Sequence, residues 1–103
     1  MNELEIVKQE LEKHHGKGNE ISAGVIEEKL GYARDDTHAK GRRLIKSCAK
    51  KYNIPLAGNT NGYYIIENEA ELNEYRANLQ SRRDKINERE NIMVKNYEEW
   101  HKK

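Results

Sequence analysis

Between positions 37 and 51 the chain reads THAKGRRLIKSCAKK, a segment dense in side chains that bind anions. Lys40, Arg42, Arg43, Lys46 and Lys50 are cations, while Thr37, His38 and Ser47 can exchange short hydrogen bonds. Projected at 100° per residue, Arg43, Lys46, Lys50, Ser47 and Lys40 spread over one side of a helix, with Arg42 on the flank. Gly41, Leu44, Ile45, Cys48 and Tyr52 gather on the other side. A helix divided in this way can bury its apolar stripe while the cations reach phosphates and the small polar groups reach base edges. Ala39, also outward, lets the backbone approach closely. Thr37 and His38 stand where the helix starts; either could touch a base edge, and Thr37 serves equally as a cap.

The distribution of charge supports this chemistry better than its total. The 103 residues carry a net charge of +1, yet residues 34–51 hold seven Lys/Arg against two Asp/Glu, and residues 1–30 hold four against seven. A basic face concentrates polyanions locally while the acidic remainder limits indiscriminate binding, which makes nucleic acid the leading partner. The competing reading is a solvated basic face with no partner.

Other chemistries find little support. His14 and His15 are adjacent and His101 lies far along the chain, with no Cys or His partner at zinc-ligand spacing, so no metal is expected. Cys48 falls on the apolar side of its helix and reads as a small buried hydrophobe. AGNTNG, residues 57–62, lacks the Lys-Ser/Thr of a phosphate-binding loop, and no nucleophile stands beside a base. We expect no enzymatic activity, no cofactor and no small-molecule substrate. A single cysteine, no apolar run of bilayer length and no cationic leader imply a cytoplasmic protein without membrane contact.

The elements that position the cations follow from periodicity and caps. ELEIVKQELEKHHG reads as an amphipathic helix with Asn2 as cap, Leu4, Val7 and Leu11 inward, and Gly16 and Gly18 as its stop. NEIS is short and extended, and Ser22 caps a second helix, AGVIEEKL, with Val25, Ile26 and Leu30 inward. Gly31 opens a turn, GYAR. Asp35-Asp36-Thr37 supplies cap chemistry for the third helix, residues 38–52, which Asn53 and Pro55 end. Two strands follow around a five-residue loop, Gly58–Gly62, with Ile54, Leu56, Tyr63 and Ile65 at period two. Tyr63 and one face of Tyr64 are expected in the core, and Pro55 places its strand at an edge or just at its start.

From Glu67 onward there is neither Gly nor Pro, and residues 69–103 read as one helix about 50 Å long. Leu72, Leu79, Ile86, Met93 and Trp100 recur every seven residues, whereas their companions are Tyr75, Arg82, Arg89 and Asn96. One apolar seam can fold back on its own domain, pair with a second copy in a homodimer, or dock on another protein.

In ISAGVIEEKLGYARDDTHAKGRRLIKSCAKKYNIPLAGNTNGYYII, residues 21–66, the order of short strand, helix, turn, helix and hairpin resembles the winged helix-turn-helix DNA-binding domain. Gly31 in the turn, Ile54-Pro55 after the third helix and Gly62-Tyr63-Tyr64 in the second strand carry the likeness. The chain is also similar to small helix-turn-helix proteins of bacteriophages and prophages, some of which append a charged helix. The resemblance implies an α+β fold, with residues 1–66 a winged-helix domain and residues 67–103 a long charged amphipathic helix. It implies double-stranded DNA as partner, a major groove read by the third helix, and Asn59, Thr60 and Asn61 of the wing on phosphates. A transcription regulator or replication-origin-binding factor in the cytoplasm of a bacterial host is the expected role. The alternative is an adaptor or inhibitor holding a host protein through its last helix.

Overall fold

The computed structural model describes residues 2–33 and 36–102. The fold is α+β: three short helices, a two-stranded antiparallel hairpin and a long fourth helix, in the order α1 (Glu3–Leu11), α2 (Ala23–Leu30), α3 (Ala39–Tyr52), β1 (Leu56–Asn59), β2 (Gly62–Ile65) and α4 (Glu69–His101). The chain divides into two units, Met1–Glu71 and Leu72–Lys103. No helix among the described residues is long and apolar enough to cross a membrane.

In the first unit Val7, Leu11, Ile21, Ala23, Ile26, Ile45, Cys48 and Ile65 form one buried cluster, with Leu4, Leu30, Leu44, Tyr52, Ile54, Leu56 and Tyr63 packed around it. Burying such aliphatic side chains contributes about 1.5–3 kcal/mol each, the main force holding three short helices that would be marginal alone. The Asn2 side chain caps α1 by accepting from the Glu5 amide at 2.9 Å. Helix α1 ends at Leu11, short of the HHG segment read as helical. The backbone of residues 14–16 is used elsewhere: the Ile65 amide donates to the His14 carbonyl at 2.8 Å, and the Gly16 amide to the Ile65 carbonyl at 2.9 Å. Sheet-type bonding to β2 therefore overrides local helix preference at that point.

Ser22 caps α2 as expected, accepting from the Val25 amide, and Gly31 ends it in the left-handed region with φ 77°. Val25 was expected inward but is 39% exposed. A two-turn helix has one core stripe at i, i+3, i+4 and i+7, here Ala23, Ile26, Glu27 and Leu30, and Val25 falls outside it. Helix α3 begins at Ala39 and buries Gly41, Ile45 and Cys48 against α1 and α2. Asn53, in the left-handed region at φ 56°, closes it with its amide on the Ala49 carbonyl.

The hairpin register pairs Leu56 with Ile65, Ala57 with Tyr64, Gly58 with Tyr63 and Asn59 with Gly62. The connection is thus the pair Thr60-Asn61 rather than a five-residue loop. Asn59 makes the tight turn possible, its Oδ1 accepting from the Asn61 amide at 2.8 Å. Gly62, at φ 137°, crosses directly over Ile21, where a Cβ would lie 2.4 Å from the Ile21 carbonyl oxygen. That closeness lets Ile21 and Tyr63 exchange backbone hydrogen bonds of 2.8 Å each way, so the NEIS segment joins the hairpin through one bridge. Tyr64 and Ala57, on the face opposite Leu56 and Ile65, are also buried, so both faces of this small sheet are covered.

The start of α4 is tied to the first unit by carboxylate and amide caps. Asn68 Oδ1 accepts from the Glu71 amide at 2.9 Å, and Glu71 accepts from the Glu67 and Lys17 amides at 2.8 Å each. These two backbone donors hold the Glu71 carboxyl below its ordinary value. None of the 33 residues of α4 is buried.

Candidate nucleic-acid interface

Helix α3 can display its cations only if its inner face is seated, and the seat is built around one buried carboxylate. Glu27, 2% exposed, lies on the core stripe of α2. One of its oxygens accepts from the Gly41 amide at 3.1 Å, and the other is 2.7 Å from His38 Nδ1. Gly41 is the point of closest approach: a Cβ there would lie 2.8 Å from both the Ala23 carbonyl oxygen and Glu27 Cγ. Two helices meet with backbone against side chain, and the carboxylate that fills the gap satisfies a buried amide that would otherwise be costly.

His38 precedes α3 in the left-handed region, φ 51°, and makes no side-chain cap. Its ring sits over Gly24, with Cε1 3.1 Å from where a Gly24 Cβ would be, and is engaged with Glu27. His38, named with Thr37 as able to touch a base edge, thus has its ring at the α2–α3 junction with its side chain 38% exposed. Thr37 is exposed, and its Oγ1 accepts from the Ala39 amide at 3.3 Å, the helix-start role held open for it. Asp35, one of the expected cap residues, and Arg34 of the preceding turn lie outside the described residues.

On the outward side Ala39, Arg42, Arg43, Lys46 and Ser47 line one shallow concavity. All five are exposed, as is Lys50 one turn further on. Among the described residues no ion pair or side-chain hydrogen bond engages Arg42, Arg43, Lys46 or Lys50. Lys40 differs: its ammonium lies 3.7 Å from the centroid of the Tyr32 ring, a cation–π contact that fixes it at the mouth of the α2–α3 turn. At the other end Lys51 and Lys8 approach the Tyr52 ring, at 5.4 and 5.6 Å.

Asn59, Thr60 and Asn61 are exposed at the hairpin tip, but the Asn59 side-chain oxygen is spent within the turn. The hairpin shares the core cluster with α3 through Leu56, Tyr63 and Ile65, and β2 packs on α1. The side chains brought together are thus the α3 cations; the hairpin offers neutral polar groups and no charge.

Sequence reading missed Glu27 and Gly41 as the pair that seats α3. A signal was present: Glu27 falls four residues after Ala23, on the only stripe that α2 can bury. Cys48 is fully buried, its Sγ 3.5 Å from the Leu4 carbonyl, and burial pushes its thiol up. Among the described residues no group of three His, Cys, Asp or Glu side chains is placed to hold a metal ion. No protein-family model, no curated protein and no solved structure matches the chain.

Proposed function

We propose that this chain is a non-enzymatic, winged-helix protein that binds double-stranded DNA, with α3 in the major groove, and acts as a phage-type transcription regulator or origin-binding factor. The observation that carries the reading is the outward face of α3. Four exposed cations, Arg42, Arg43, Lys46 and Lys50, stand clear of ion pairs among the described residues, beside the small Ala39 and Ser47. Such a face suits groove binding because its cations release counterions from phosphates while short side chains leave room for base edges. The Ile21–Tyr63 bridge supports the winged-helix reading, since it gives the hairpin a third short partner ahead of α2. With no cation at the Thr60-Asn61 tip, the hairpin adds hydrogen bonds to phosphates and little charge.

Selection from random duplexes at two salt concentrations tests the proposal. Enrichment of a common site, with affinity falling steeply as salt rises, is the expected result. No enrichment at low salt counts against it.

A second reading rests on α4, where Trp100 is 73% exposed and Ile86, Met93 and Tyr97 are also exposed. Aromatic and aliphatic side chains in one stripe suit an adaptor or inhibitor that holds a host protein. Capture of such a protein by the full chain, lost on Met93→Glu and without any duplex binding, would favour it.

A further inference from the structure

We propose that Arg43 is the sequence-reading residue of α3, and that the duplex site holds a G·C pair whose guanine its guanidinium grips. The inference rests on the duplex-binding reading above and deepens it, separating the cation that reads a base from those that hold phosphates.

The outward concavity of α3 is centred on Arg43. Its other four lining residues, Ala39, Arg42, Lys46 and Ser47, are the neighbours of Arg43 at i−4, i−1, i+3 and i+4. The row along the axis therefore runs Ala39, Arg43, Ser47, one long side chain between two short ones. Small residues a turn before and a turn after let the backbone at Arg43 come closest to a groove floor.

Around the axis Arg42 lies about 100° to one side of Arg43, with Lys46 about 60° the same way, and Lys40 lies about 60° to the other side. A helix in a major groove has a phosphate wall on each side and base edges beneath it. Arg42 and Lys46 then face one wall, Lys40 the other, and Arg43 the floor. The Tyr32 ring, 3.7 Å from the Lys40 ammonium, keeps that cation on its flank. Two other candidates for base contact are engaged: Thr37 Oγ1 accepts from the Ala39 amide, and His38 Nδ1 is 2.7 Å from the Glu27 carboxylate. Lys50 shares the side of Arg43 but lies roughly 10 Å further along, where a straight helix parts from a curving groove.

The chemistry of the floor selects the base. A guanidinium presents two parallel N–H donors, and guanine sets two acceptors, O6 and N7, side by side in the major groove. Adenine sets the N6 donor beside N7, so one of the two bonds is lost and two donors face each other.

Affinities for the duplex recovered by selection, and for duplexes with each of its G·C pairs replaced in turn by A·T, test the assignment. One replacement is expected to weaken the wild type about tenfold. Arg43→Gln should bind that pair of duplexes within about twofold of each other, or favour A·T, because a Gln amide matches adenine. Arg42→Gln and Lys46→Gln should weaken binding to both and keep the wild-type preference. A cation in the groove displaces counterions whether it faces a base or a phosphate, so the salt slope falls in all three variants and only the base preference tells them apart. All three side chains are exposed, so the fold survives the substitutions, which circular dichroism checks. An Arg43→Gln protein that retains the wild-type preference at every pair overturns the assignment while leaving duplex binding intact. So does a wild type that binds duplex without preferring any G·C pair. A wild type that binds no duplex at low salt overturns the duplex-binding reading itself, and the assignment with it.

Discussion

Helices α3 and α4 are both rich in charge, and they are stabilised in different ways. Along α3 the cations share the helix with Gly41, Ile45 and Cys48, which are buried against α1 and α2. That burial holds in place a segment whose like charges and Gly41 would resist helix formation on their own. Along α4 nothing is buried, and an unbroken run without Gly or Pro, capped by Asn68 and Glu71, carries the helix by propensity and local bonds. The comparison separates two kinds of surface. The cations of α3 are presented at fixed positions by a packed core, whereas the apolar seam of α4 is exposed along the helix.

Substitution in the two helices should expose this difference first. Ile45→Ala removes a fully buried side chain and is expected to cost about 2–5 kcal/mol in urea unfolding. Ile86→Ala, measured on dilute protein, should change the same transition by less than about 0.5 kcal/mol. Comparable losses from both would mean that α4 is part of the same core. A smaller effect, about 1–3 kcal/mol, is expected for Gly41→Ala, because the new methyl meets the Ala23 carbonyl oxygen and Glu27 Cγ at 2.8 Å. Lost affinity for duplex in that variant, with the cations intact, would tie the seating of α3 to its function.

Cys48 offers a probe of the same core without substitution. Its buried, raised thiol should react with a disulfide reagent only as fast as the first unit opens, so Ile45→Ala should accelerate the reaction and Ile86→Ala should not. The smallest effect concerns the junction at Glu71. A carboxylate lowered in the folded state stabilises the fold above its unfolded value, about 4.3, and that stabilisation is lost as pH falls through the depressed folded value. Glu71→Gln should therefore be less stable than the wild type at neutral pH, with the gap closing in acid. A gap that persists unchanged at low pH would show that the carboxylate's charge is not what binds the Glu67 and Lys17 amides.

The sequence made some of this legible and hid the rest for identifiable reasons. Ser22, Gly31 and Asn53 mark helix ends because their side chains or φ angles act locally, and each stands where it was expected. The inner stripe of α3 follows from spacing alone. Misreadings arose where a distant segment intervened. His14 and His15 continue an apparent helix, but β2 claims their backbone. Gly58 and Gly62 look like loop residues, yet both pair within the ladder, and Gly62 is small because Ile21 passes over it. The His38–Glu27 contact was not anticipated either, because Glu27 belongs to a residue type seldom buried. The seven-residue spacing of Leu72, Leu79, Ile86, Met93 and Trp100 is plain in the sequence, and all five side chains are exposed.

The central claim is that the exposed face of α3 binds duplex DNA through its cations. Its most direct test is duplex affinity as a function of salt for the wild type, Arg43→Ala, Lys46→Ala and, as a control on α4, Lys85→Ala. The expected result is a steep loss of affinity with salt in the wild type, a slope smaller by about one counterion in each α3 variant, and an unchanged slope in Lys85→Ala. Identical slopes in all four proteins, or no binding at low salt, would contradict it.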